Sequence, residues 1–156
     1  MNKQDALRQA IQNEIKSRNL YSMLAGVFRS SDAESTFRSL SALERGHEAK
    51  LTALFLREYP GVDPGLDANA LPTFHSSKGL KDPVEIIRFA MEKESESHRN
   101  YLELHDIAED HDVKILFRAM AVEETHHRDI LETEITRIQG NMTWFDPSEL
   151  HGFMEE

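Results

Sequence analysis

The sequence predicts an all-α protein, in which two repeated helical hairpins joined by a long crossover form a four-helix bundle. Three observations lead there. Apolar residues recur at helical spacing over four long stretches, start and stop signals bracket those stretches, and the first two resemble the last two when the chain is shifted by 80 positions.

The first helix is expected over residues 3–29, where Leu7, Ala10, Ile11, Glu14, Tyr21, Leu24 and Ala25 fall broadly on one stripe. Ser31-Asp32-Ala33-Glu34 resembles a capping box, in which the serine accepts a backbone N–H and the glutamate reaches back. It opens a second helix over residues 32–58, which Tyr59-Pro60-Gly61 ends. Residues 59–81, with three prolines and three glycines, are too long for a tight turn and suit a crossover spanning the bundle. Asp82-Pro83-Val84-Glu85 starts the third helix, with proline at the first helical position. That helix is expected to reach Glu109, and the fourth to run from Asp112 to Gln139, ending at Gly140-Asn141. The bundle is thus expected over residues 1–139, with hairpins at 3–58 and 82–139. In the tail, residues 140–156, Asp146-Pro147-Ser148-Glu149 marks a short helix that Trp144, Phe145, Leu150 and Phe153 would dock.

The repeat is specific. Arg8, Ala10, Glu14, Ser17, Tyr21, Leu24, Phe37, Arg38, Glu44, His47 and Leu51 each meet the same residue type 80 positions later, without a gap. Composition alone does not produce such agreement, and a duplicated hairpin related by a pseudo-two-fold axis does.

Composition narrows the function classes. A net charge of −10 argues against a nucleic-acid backbone or an anionic membrane surface as partner. No apolar run approaches the roughly 18 residues of a membrane span, and Met1-Asn2-Lys3-Gln4-Asp5 lacks the apolar core of a signal peptide. A cytoplasmic location is the expectation. The absence of cysteine removes disulfides, thiolate metal sites and cysteine nucleophiles.

Each half offers one glutamate on its first helix and a Glu-x-x-His on its second: Glu14 with Glu44 and His47, then Glu94 with Glu124 and His127. Residues three apart share a helix face, so each pair can point both groups inward. A single Glu-x-x-His in so acidic a chain is a weak signal, because solvated helix faces produce it readily. Two of them, in register with an internal repeat, are a strong one. Four carboxylates converging in a core would repel one another, and two divalent cations would cancel their charge while the imidazoles stay neutral. Oxygen and imidazole donors without thiolate suit iron or manganese, and zinc also binds such sets. Glu123-Glu124-Thr125-His126-His127 holds two overlapping pairs; the repeat selects Glu124 and His127, which leaves Glu123 and His126 about 100° round the helix as surface or ligand-supporting groups. Tyr21 and Tyr101 lie two turns past Glu14 and Glu94. A core tyrosine, a hydrogen bond to a ligand carboxylate and a redox role are all open to them. Arg38 and Arg118 would pair with rim carboxylates or lie on the surface, and His75, His98, His105, His111 and His151 have no partner spacing.

The pieces Ala10-Ile11-x-x-Glu14-x6-Tyr21, Phe37-x-x-Leu40-x3-Glu44-x-x-His47, Ala90-x3-Glu94-x6-Tyr101 and Ala121-x-Glu123-Glu124-x-x-His127 resemble the rubrerythrin and erythrin branch of the ferritin-like superfamily. The resemblance covers roughly residues 3–139 and implies a ferritin-like bundle with two iron ions per chain. It also implies reduction of peroxide or dioxygen, with a homodimer or larger homo-oligomer as the assembly. Rubrerythrins proper carry a four-cysteine rubredoxin-like domain, which this cysteine-free sequence lacks, so a separate electron donor is expected. They also tend to carry an extra glutamate one turn after the third-helix ligand, where this chain has Ser97. That departure brings the six-residue set closer to bacterioferritin-like sites, which favour ferrous oxidation. The alternatives to a peroxide- or dioxygen-reducing oxidoreductase are therefore a ferroxidase or iron-binding protein and a non-enzymatic helical module held by a structural metal.

Overall fold

The computed structural model describes residues 2–28, 30–74 and 82–144, with side chains as far as residue 140. Four helices make up the fold: α1 (Lys3–Val27), α2 (Ser31–Glu58), α3 (Pro83–Ile107) and α4 (His111–Trp144). The hairpins α1/α2 and α3/α4 pack side by side, with α1 against α3 and α2 against α4. Among the described residues there is no strand, and no helix is long and apolar enough to cross a membrane.

The helix starts follow from local side-chain chemistry. Asn2 accepts the Asp5 N–H at 2.8 Å, and Asp82 accepts from Val84 and Glu85 beside Pro83. Both satisfy donors that a first turn leaves open. The α2 cap sits one residue earlier than the sequence suggested. Ser30 accepts the Ala33 N–H at 3.5 Å, and Glu34 pairs with Arg38 one turn on, at 2.9 Å, instead of reaching back. On α4 the carboxylate of Asp110 accepts from Asp112 and Val113, so the helix begins at His111. At its other end α4 passes through Gly140 to Trp144. Of the described glycines only Gly61 and Gly65 have positive φ; Gly140 is not a left-handed cap, and a lone helical glycine weakens a helix without ending it. The expected tail helix and its docking residues from Phe145 onward lie outside the described residues.

After Pro60 and Gly61 the crossover lies along α1. Gln12 donates to the Asp67 carbonyl at 3.0 Å and accepts the Asp67 N–H at 2.8 Å, while Asn19 donates to the carbonyls of Ala68 and Ala70. Two apolar clusters fill the bundle. One joins Leu7, Ile11, Ile15, Leu51, Phe55, Leu104, Val113 and Phe117; the other joins Leu24, Phe37, Leu40, Ile86, Ile87, Ala90, Leu131 and Ile135. Every helix passes from one cluster to the other. Its acidic and histidine positions fall at the changeover, so the six candidate ligands form a polar belt between two dry layers.

Candidate metal centre

All six predicted residues meet inside the bundle. Glu14, Glu44, His47, Glu94, Glu124 and His127 are each at most 3% exposed. They form two groups of ligand-type atoms, the atoms of each group lying within 4.8 Å of one another: Glu14, Glu44, His47 and Glu124, and Glu44, Glu94, Glu124 and His127. Glu44 and Glu124 belong to both. The helix register explains the convergence, since i, i+3 spacing puts each Glu and His on the same inward face, and the packing of the two hairpins brings the two faces together.

The donor set fits a pair of cations. Glu14 Oε2, Glu44 Oε2, His47 Nδ1, Glu94 Oε2 and Glu124 Oε1 are buried without a hydrogen-bond partner. His47 Nδ1 lies 2.8 Å from Glu124 Oε1 and 3.6 Å from Glu14 Oε1, and the other imidazole lies 2.7 Å from Glu44 Oε1 through its own Nδ1. Orphaned buried acceptors facing one another are costly, and a shared cation removes that cost.

The comparisons point the same way. Residues 85–151 match the rubrerythrin family model. A hypothetical protein from Pyrococcus furiosus is similar in structure, with 25% sequence identity and a TM-score of 0.79 over 90% of this chain and 92% of that one. The second hairpin of this chain is similar to the rubrerythrin family. No curated protein gives a significant match.

Within the belt the electrostatics work against accumulated negative charge. Burial, then the charges of Glu14 and Glu94, push the carboxyls of Glu44 and Glu124 well above the ordinary range. Burial also opposes charge on Glu94, but Glu124, His127 and Tyr21 outweigh it and lower its pKa. At His47 burial disfavours protonation, and Glu14 and Glu123 more than offset it, so its pKa is raised. Negative charge in the belt is thus held down partly by protonation, as expected when like charges share a low-dielectric site.

The tyrosines act across the hairpins. Tyr21 donates to Glu94 Oε1 and Tyr101 donates to Glu14 Oε1. Both rings are buried, and burial followed by the nearby carboxylates raises both hydroxyl pKa values far enough to keep them as donors. Of the three roles open from sequence, the geometry places them as hydrogen-bond donors to ligand-type carboxylates. Glu123, one residue before Glu124, bonds to His47 Nε2, whereas His126 is exposed. Arg38 and Arg118 are exposed. His98 bonds to the Ala121 carbonyl and His105 contacts Asp106; neither belongs to the belt, and His75 and His151 lie outside the described residues.

One buried acid escaped the sequence reading. Glu134 is 2% exposed, accepts from Thr36 at 3.0 Å, and pairs with Arg137 at 2.9 Å. It stands two turns beyond His127 on the same helix face, a spacing legible in the sequence. Its repeat counterpart is Leu54, so the register that selected the other six passed it over.

Proposed function

We propose that this chain is a non-haem di-iron oxidoreductase that reduces peroxide or dioxygen with electrons from a separate donor. The observation that carries this reading is the buried convergence of four glutamates and two histidines into two groups sharing Glu44 and Glu124. Glu14 and His47 would hold one iron, Glu94 and His127 the other, and Glu44 and Glu124 would bridge them. Bound iron would supply the redox chemistry, transferring electrons to the oxidant.

The chain's own residues do the rest. The two apolar clusters exclude water above and below the belt, which strengthens every charge interaction within it. Tyr21 and Tyr101 hold Glu94 and Glu14 in orientation through their hydroxyl groups. Glu44 and Glu124, with proton affinities raised by burial and like charge, give up protons as cations enter and can take them back as charge in the site changes.

The test is anaerobic loading with ferrous iron, followed by peroxide or dioxygen, with and without a steady reductant. Two irons per chain, and peroxide consumption that continues while reductant lasts, are expected. An intact chain that takes up no iron would overturn the reading. Ser97 favours a second reading, ferroxidase or iron handling, because it places a hydroxyl where a further carboxylate would assist peroxidase turnover. Under that reading the ferrous iron is oxidised once, and peroxide consumption does not persist with reductant.

A further inference from the structure

The duplicated hairpin makes the six ligand-type residues equivalent in pairs, and their tyrosine partners too. One contact breaks that symmetry. His47 turns Nδ1 towards Glu14 and Glu124 and donates from Nε2 to the carboxylate of Glu123. Its counterpart His127 turns Nδ1 towards Glu44, and the repeat places Leu43, not a glutamate, where Glu123 stands. Among the described residues the Nε2 of His127 has no hydrogen-bond partner.

We propose that Glu123 is a positioning residue that makes the two metal positions unequal, so that the His47 position binds its cation more tightly and fills first. A carboxylate behind an imidazole fixes the N–H on Nε2, leaves the Nδ1 lone pair aimed at the metal, and raises the basicity of the ring. Glu123 is well suited to this. Its side chain is 45% exposed while that of His47 is 3% exposed. The carboxylate therefore keeps part of its hydration, while the bond it accepts comes from a ring held in the dry belt. Leu43, 48% exposed on α2, has no acceptor to offer. The inference rests on the two-metal reading above and adds an order of filling to it.

The test is a titration of the metal-free full chain with cobalt(II), followed by its visible spectrum and by calorimetry. Two resolved steps are expected in the wild type. Glu123→Leu should weaken the tighter step about 10–100-fold and leave the other step in place. Glu123→Asp or Glu123→Gln, which keep an oxygen acceptor, should recover part of the loss. Leu43→Glu should tighten the weaker step by giving His127 the same partner. In the cobalt-loaded wild type, proton NMR should show a paramagnetically shifted, exchange-protected imidazole N–H from His47 that Glu123→Leu abolishes. A wild type binding fewer than two ions overturns the two-metal reading itself. Two ions binding with Glu123→Leu and Leu43→Glu both indistinguishable from wild type overturns only the role of Glu123. Should Glu123→Leu fail to fold, Glu123→Gln and Leu43→Glu decide the matter in the same way.

Discussion

Individual side chains in the belt carry opposed demands, and titration exposes them. Glu44 and Glu124 bind protons more tightly folded than unfolded, because burial and neighbouring carboxylates penalise their charge. Above the ordinary glutamate range the folded metal-free chain therefore holds more protons than the unfolded one, and its stability falls as pH rises towards the raised folded values. His47, also raised, acts with the same sign: its contribution is present at low pH and lost as pH climbs through its folded value. Glu94, lowered, acts the other way, with stability lost as pH falls below the ordinary carboxylate range. Calorimetry of the metal-free chain should show Tm declining from mildly acidic to alkaline pH. Metal should flatten that slope, and metal uptake in weak buffer should release protons; a Tm that rises with pH over this window would contradict the assignment. The tyrosines give a second prediction at this scale. Tyr21→Phe and Tyr101→Phe each remove the donor to one buried carboxylate, so each should weaken metal binding about tenfold or more. Titration should find similar factors for the two, as the pseudo-symmetry requires.

At the scale of helices, glycines separate positions that sequence alone leaves alike. Gly46 lies exposed in the interior of α2, and a Cβ added there meets nothing within 4 Å. Gly140 is helical and open in the same way. Gly61 has φ of +79° at the turn after α2. Gly46→Ala and Gly140→Ala should therefore each stabilise the fold by about 0.5–1 kcal/mol, through lower unfolded-state entropy and better helix propensity. Gly61→Ala should destabilise it, since the left-handed backbone strains any Cβ. Urea unfolding of the three variants reads both signs, and a destabilised Gly140→Ala would mean α4 ends there after all. The same scale shows why caps drift by a residue in sequence reading. Ser30 and Ser31 are equally good capping residues, and only the path of the chain entering α2 decides between them.

Across the whole molecule the duplicated hairpin explains most of the architecture and also isolates its exceptions. Leu54 is buried in one apolar cluster, whereas its counterpart Glu134 is a buried acid whose Oε2 has no partner. Glu134→Leu should raise stability by about 1 kcal/mol, because it removes a desolvated carboxylate with one oxygen unsatisfied, while the Arg137 side chain, already 41% exposed, is left to water. Denaturant unfolding of the variant checks this, and a clear loss of stability would show that the Thr36 and Arg137 contacts outweigh the desolvation.

What the sequence determined by itself was local or repeated: four periodic helices, the start at Asp82-Pro83, and Glu14, Glu44, His47, Glu94, Glu124 and His127 as inward-facing positions. These follow from helical geometry, which acts over three or four residues, and from a register that a duplication states twice. Tertiary structure alone decided that Tyr21 reaches Glu94 and Tyr101 reaches Glu14, that Glu123 stands behind His47, and that Glu134 is buried. Each of these depends on side chains separated by more than 70 positions, or on how deeply one helix face is covered by its neighbours. No spacing along one helix encodes the distance or depth between two.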